Sequence, residues 1–228
     1  MIQTLIDVLT APRDAFARLR DQPRAWLPML LLLASVLIGQ LIFLNLVDRE
    51  FLIADIIETA GNEVSAEDKE RMRAFRDRGG GSFAAIGVVM GVLGTLVLQS
   101  LHAAYFFLVA RFAGAALAYK GWFAFVWWAS VPKVLSAVAG VVAVIMAPAG
   151  KISIYETRPL SFVSLFGLRL ENTNLMRLLN SFDLMSLWTL VLMMIGAQLW
   201  LQRSWWLSGA IVLAPYGLVY GVWSVAVR

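Results

Sequence analysis

The chain has 228 residues, of which 60% are hydrophobic and only 15% are charged, and its mean hydropathy is +0.75. Soluble domains of this length are usually about half apolar and about a quarter charged, so these values exclude an ordinary soluble protein and indicate an integral membrane protein. The net charge of +4 comes from basic residues scattered among acids, which argues against a nucleic-acid partner and favours anionic lipid headgroups.

The first 25 residues form an amphipathic segment. They place apolar side chains such as Leu5, Val8 and Phe16 among several arginines, with an interruption at Pro12. This pattern is typical of helices that lie in the headgroup layer of a membrane. We therefore predict an interfacial segment over residues 1–25, followed by a membrane domain over residues 26–228.

The membrane domain contains apolar stretches long enough to cross about 30 Å of hydrocarbon at about 1.5 Å per residue. We predict an all-α, polytopic helical bundle with five transmembrane helices, at about residues 26–47, 83–110, 133–149, 183–202 and 205–227. In the polar stretch after the first span, "SAED" at 65–68 predicts a further helix start. Residues 155–182 have helical apolar spacing and are expected to lie along a surface.

Glycines and prolines on these spans predict how the helices pack and bend. Gly87 and Gly91 on the second span, and Gly217 and Gly221 on the fifth, have the GxxxG spacing that lets neighbouring helices approach closely. Pro132, before the third span, and a second proline within the fifth, Pro215, are predicted hinges.

Lys133 interrupts the long apolar stretch of residues 122–151 and allows two interpretations. If one straight helix ran through it, the ammonium would lie near the bilayer midplane at a cost of about 2.5–3.5 kcal/mol, and it would be a functional group. If Pro132 breaks the helix, Lys133 marks the membrane rim, and the tryptophans before it lie in the headgroup layer. The second interpretation is preferred, and the first stays open.

Other polar residues within the predicted spans are candidates for function. His102 and Gln99 lie on the second span and Gln40 on the first, and with Lys133 they could line a polar path through the bundle. The alternative role for such single polar residues is an interhelical hydrogen bond. Asp183, with Trp188 after it, opens the fourth span and completes the candidate set.

Catalytic signatures are not visible. The chain has no cysteine and one histidine, and no acid lies near that histidine in sequence, so neither a triad nor a cysteine–histidine metal site is predicted. The "GGGS" at 79–82 lacks the lysine that ends a phosphate-binding loop. We therefore predict no enzyme activity, no catalytic residue, no metal and no cofactor.

Three stretches resemble the Yip family of five-span membrane proteins, named for interaction with Ypt and Rab GTPases, in its bacterial form. They are "LTAPRDAFARLRDQPRAWLPMLLLL", "KGWFAFVWWASVPKVLSAV" and "FDLMSLWTLVLMMIG", the last containing Asp183 and Trp188. The resemblance implies five spans, a cytoplasmic N-terminus and a role in membrane organisation rather than chemistry.

Orientation and function follow as expectations. The positive-inside rule favours the opposite orientation, because more basic residues lie in the loops that a cytoplasmic N-terminus places outside. We retain the cytoplasmic N-terminus, since the first span often dominates. The expected function is organising membrane or scaffolding membrane-protein partners in the cell inner membrane, with a homo-oligomer as a further possibility. The alternative function is a small-molecule or ion transporter or channel.

Overall fold

The computed structural model describes residues 2–60, 81–168 and 173–226, together with positions 65, 67 and 70. In chain order the helices are α1 (Ile2–Thr10), α2 (Pro12–Asp21), α3 (Trp26–Leu46), α4 (Arg49–Ala60), α5 (Gly81–Phe112), α6 (Tyr119–Ala129), α7 (Lys133–Met146), α8 (Phe162–Leu165), α9 (Thr173–Ser181), α10 (Leu184–Leu201) and α11 (Trp205–Ala226). The described residues contain no strand, only an isolated bridge between Ser161 and Asp183. The predicted all-α fold is confirmed. The helix predicted at "SAED" lies outside the described residues except for isolated positions.

Among the residues that the structure describes, five helical segments are long and apolar enough to cross a membrane. They are Trp26–Leu46, Ala85–Phe112, Tyr119–Met146, Leu184–Leu201 and Trp205–Val222. This confirms the predicted number of spans. The third segment begins well before the predicted residue 133, because it contains both α6 and α7.

The third segment is interrupted between α6 and α7. The peptide N–H of Val131 donates to the Trp128 carbonyl at 3.2 Å, and that of Lys133 donates to the Ser130 carbonyl at 3.0 Å. These are tightened turns, and Pro132 between them has no N–H to continue an α-helical ladder. The interruption therefore lies at the predicted hinge. Pro215, by contrast, lies inside the continuous helix α11.

The described residues group into two compact units. The first is drawn from residues 1–33, 94–134 and 185–228. Its core is helix α6, which is buried from Gly121 to Ala129 except at Phe123 and is contacted by α1 and α2. Aromatic rings at Phe16, Phe106, Trp122, Phe125 and Trp200 pack with centroid distances between 5.1 and 5.8 Å.

The tryptophans of α6 are the clearest difference from the sequence prediction. Trp122, Trp127 and Trp128 are each 0% exposed, so protein rather than lipid headgroups covers them, while the depth predicted for them in the membrane stays a prediction. The physical reason is that α1, α2 and the aromatic rings of α5 and α10 surround α6 and cover its surface. The amphipathic N-terminal segment likewise turns Val8 and Phe16 into the protein, while Ile2 and Ile6 stay 75% and 51% exposed.

The second unit is drawn from residues 34–93 and 135–184. Val47, Val144 and Ile152 form its small core. The peptide N–H of Asp48 donates to the Gly150 carbonyl at 2.9 Å, and the Asp55 carboxylate accepts a hydrogen bond from the Ser153 hydroxyl at 2.8 Å. These bonds tie the loop after α7 to the beginning and middle of α4.

Candidate functional site

A polar cluster forms beside the interruption between α6 and α7. The Gln99 side chain on α5 donates a hydrogen bond to the Ser130 hydroxyl at 2.9 Å, and the two residues are 5% and 0% exposed. Burying either group unpaired would cost free energy, so each satisfies the other. Sequence reasoning missed Ser130, although a hydroxyl residue two positions before a proline at a helix break is a signal that could have been used.

His102 lies on the same face of α5, since it follows Gln99 by three residues. Its Nδ1 lies 3.1 Å from the Leu98 carbonyl oxygen, and its ring stacks on Tyr216 of α11 with centroids 5.7 Å apart. Lys133 is close enough for its charge to act on the His102 ring. The structure thus brings together three of the candidate residues, Gln99, His102 and Lys133.

The three residues of this cluster lie at similar positions along two of the candidate spans. Gln99 and His102 lie near the middle of the candidate span Ala85–Phe112, and Lys133 lies near the middle of Tyr119–Met146. The candidate segment Tyr119–Met146 is itself interrupted at this point, so a position halfway along it does not fix a depth in the membrane. Both interpretations of Lys133 stay predictions.

The chemistry available to the cluster is limited. It offers an amide, a hydroxyl, an imidazole and an ammonium, and within the residues that the structure describes no group of three histidine or acidic side chains could hold a metal ion. The cluster can form hydrogen bonds and can attract an anion electrostatically. A proton relay needs an acid beside the imidazole, and the described neighbours of His102 supply none.

The remaining candidates lie elsewhere. Gln40 belongs to the second unit and fills the space in front of Gly91, where an added Cβ would overlap the Gln40 amide. Apart from each glycine's chain neighbours and own helix backbone, no atom of the described residues lies within 4 Å of the position that a Cβ would take at Gly87, Gly217 or Gly221. Within the described part of the chain, therefore, no neighbouring helix packs closely against the Cβ positions of these three glycines, and Gly91 packs against a side chain rather than a helix backbone.

Asp183 also belongs to the second unit, whereas Trp188 packs against the core of the first. Asp183 is 5% exposed, and its Oδ2 lies 3.5 Å from Nη2 of Arg158, a partner that sequence reasoning missed. The peptide N–H of Leu184 donates to the Leu160 carbonyl at 3.1 Å next to this pair. Asp183 thus fixes the loop around residues 158–161 to the start of α10.

Comparison with known proteins places this geometry in a family. Residues 6–226 match the family model described as the Yip1 domain. The chain is 26% identical over 226 residues to "Membrane protein YknW" of Bacillus subtilis (strain 168), an alignment that covers 97% of this chain and 89% of that protein. No solved structure is significantly similar to this chain.

Proposed function

The chain belongs to the Yip1 domain family and is a membrane protein, and from this premise we propose that it organises membrane or scaffolds partner proteins in the cell inner membrane. It does so without catalysis, with its N-terminus in the cytoplasm. The observation that carries the proposal is the rigid attachment of its N-terminal helices, which presents a fixed surface next to the membrane spans.

The attachment uses two buried indole groups. Nε1 of Trp200 donates to the Phe16 carbonyl at 2.9 Å, and Nε1 of Trp128 donates to the Arg24 carbonyl at 2.7 Å. An ion pair between Arg18 and Asp7 joins α2 to α1. A pair of helices that merely floated in the headgroup layer would need none of these bonds. Their presence supports a surface held in one orientation for recognition.

The exposed face of the attached helices α1 and α2 is suited to binding a partner. Ile2 and Ile6 of α1 are 75% and 51% exposed, beside exposed polar and charged groups of the same two helices. Exposed large apolar side chains rimmed by polar residues mark interaction surfaces. A partner protein and a lipid surface would make the same kinds of contact with this face, so the experiment has to separate the two.

The proposal is tested by replacing Ile2 or Ile6 with a photoreactive phenylalanine analogue in living cells. We expect light to link both positions to a small, reproducible set of membrane proteins. The matched control is Leu218, which is 70% exposed on the candidate span of α11 and faces outward from the chain. The proposed scaffold function would be rejected if positions 2 and 6 gave protein adducts no more often, and to no more discrete a set of proteins, than position 218.

The transporter remains the second candidate, and the cluster of Gln99, His102 and Lys133 is the observation that favours it. A conduction path uses polar groups that change partners. In this chain Gln99 is committed to Ser130, and the phenol of Tyr105 on the same helix donates to the Ile211 carbonyl at 2.7 Å. These fixed bonds support packing rather than conduction.

Ion flux decides between the two candidates. We expect the purified full chain in sealed vesicles to leave ion flux at the level of empty vesicles, and the Lys133→Met chain to do the same. A flux that the wild-type chain creates and Lys133→Met removes would establish the transporter and reject the scaffold.

A further inference from the structure

A basic cleft lies between α2 and the end of α10. Its volume is about 550 Å³. The residues that line it are Arg13, Ala17, Arg20, Asp21, Gln198, Leu199, Gln202 and Arg203. All of them belong to the first compact unit, and none belongs to the polar cluster of Gln99, His102 and Lys133 described above.

The walls of the cleft are held in place by contacts outside it. Phe16, one turn of α2 away, is 0% exposed and accepts the Trp200 hydrogen bond from α10. On the opposite wall, Nη2 of Arg203 donates to the Ala113 carbonyl at 3.0 Å, and Gln202 takes a positive φ of 54° in the tight turn before it. Because both walls are anchored, the site is formed before a ligand binds, and binding would cost little conformational entropy of the protein.

The cleft carries uncompensated positive charge. Three guanidinium groups and one carboxylate line it, so its formal charge is +2. Among the residues that the structure describes, neither Arg13 nor Arg20 has a hydrogen-bond or ion-pair partner. Guanidinium groups match the geometry of phosphate oxygens, and the amides of Gln198 and Gln202 can bond to hydroxyls beside a phosphate.

The position of the cleft in the chain indicates its depth in the membrane. Arg203 lies in the short link between the candidate spans Leu184–Leu201 and Trp205–Val222. A link between two antiparallel spans lies at the membrane surface, because its backbone is outside both helices. Trp206, which follows it, is 85% exposed, and tryptophan is enriched at the headgroup level. An anion held in the cleft is therefore at the depth of lipid phosphates.

We infer that this cleft binds the phosphodiester headgroup of an anionic phospholipid. Arg13, Arg20 and Arg203 bind the phosphate, and the two glutamines bind headgroup hydroxyls. The inference rests on the proposed role in organising membrane and gives that role a lipid class. Asp21 weakens the attraction, so it limits how tightly the lipid is held.

The test is a titration of the delipidated full chain with phosphatidylglycerol or with phosphatidylcholine, read by native mass spectrometry. We expect a clear preference for phosphatidylglycerol. Each basic residue near an anionic lipid contributes roughly a fivefold gain in affinity, so the double variant Arg13→Gln/Arg20→Gln should bind phosphatidylglycerol on the order of thirtyfold more weakly.

The matched control removes two charges outside the cleft. Arg24 and Arg111 belong to the same compact unit, and Arg24→Gln/Arg111→Gln gives the same net charge as the cleft variant. We expect the control to stay within about twofold of the wild type. An equal loss in both double variants would show that only overall charge matters and would overturn the site.

A gain of binding excludes misfolding as the explanation. Asp21→Asn removes the one negative charge of the cleft and should tighten phosphatidylglycerol binding severalfold. Unchanged or weaker binding would count against the cleft. Soluble glycerol phosphate at millimolar concentration should not displace the lipid, and displacement would mean that the site takes a free phosphate compound instead.

These readouts separate the cleft from the proposed function. Intact cross-linking at Ile6 with no lipid selectivity would reject the lipid site alone. Intact lipid selectivity with no protein adducts would reject the scaffold alone.

Discussion

Removing the Phe16 ring should release the N-terminal helices from the bundle. Phe16 is 0% exposed, and its ring lies against that of Phe125 with centroids 5.5 Å apart. Truncating a buried phenylalanine to alanine costs about 3–5 kcal/mol, because buried surface and packing contacts are both lost. Since this ring joins α2 to α6, we expect the cost to fall on local undocking of α1 and α2 rather than on the membrane spans.

Trypsin measures that undocking, because the segment carries arginines at positions 13, 18, 20 and 24. When opening and closing are fast, the cleavage rate follows the population of the open form. A loss of about 3 kcal/mol multiplies that population by roughly 150. We therefore expect the Phe16→Ala chain in nanodiscs to be cut in this segment about a hundredfold faster than wild type, up to the point where the open form predominates.

Ile2→Ala supplies the matched control, since it removes a large apolar side chain that is 75% exposed on α1. Exposed substitutions usually change stability by less than about 0.5 kcal/mol, so its cleavage rate should stay within about twofold of wild type. If Phe16→Ala were cut no faster than Ile2→Ala, the aromatic core would not be what holds α2, and the argument for a fixed N-terminal surface would fail.

Three further predictions concern packing, hydrogen bonding and orientation. Gly196→Ala places a methyl group against two phenylalanine rings and should lower the free energy of unfolding by about 1–3 kcal/mol in a detergent titration, whereas Gly217→Ala, with no atom within 4 Å, should be close to neutral. The Gln99 and Ser130 side chains should show a coupling of about 0.6–1 kcal/mol in a double-mutant cycle, and additive effects of Gln99→Leu and Ser130→Ala would mean that the bond contributes nothing. Arg24→Cys, the single cysteine of its chain, should react with an impermeant thiol reagent only from the cytoplasmic side, and labelling from the periplasm would reverse the proposed orientation.

Hydropathy alone was enough to predict the helical membrane fold and the number of spans. Apolar runs such as that of α3 are long enough to cross the hydrocarbon layer whatever lies beside them. A chain that crosses lipid must satisfy its backbone hydrogen bonds internally, and a continuous apolar run does so as a helix. The resemblance to the Yip family is also confirmed by the match over residues 6–226. The interruption at Pro132 was predictable for a local reason, because a missing N–H does not depend on the neighbours.

The candidate site was only partly predictable. Gln99 and His102 could be paired from their spacing on one helix, but Lys133 joins them only because α7 begins beside the middle of α5. Gln40 and Asp183 were grouped with them by polarity, and the structure assigns both to the other compact unit. Polarity identifies residues that need a partner, and it does not identify the partner.

What the sequence by itself determined about this protein is therefore the set of properties that each segment carries alone: its solvent, its length, its helical state and its break at proline. What only the tertiary structure decided is what each face meets. Trp122 and Trp128 are of the residue type that is enriched at membrane interfaces, yet both are fully buried, because α1 and α2 fold back onto α6 and cover them. The hydrophobicity of a side chain explains why it is removed from water. Whether it then contacts lipid or protein depends on which helix packs against it.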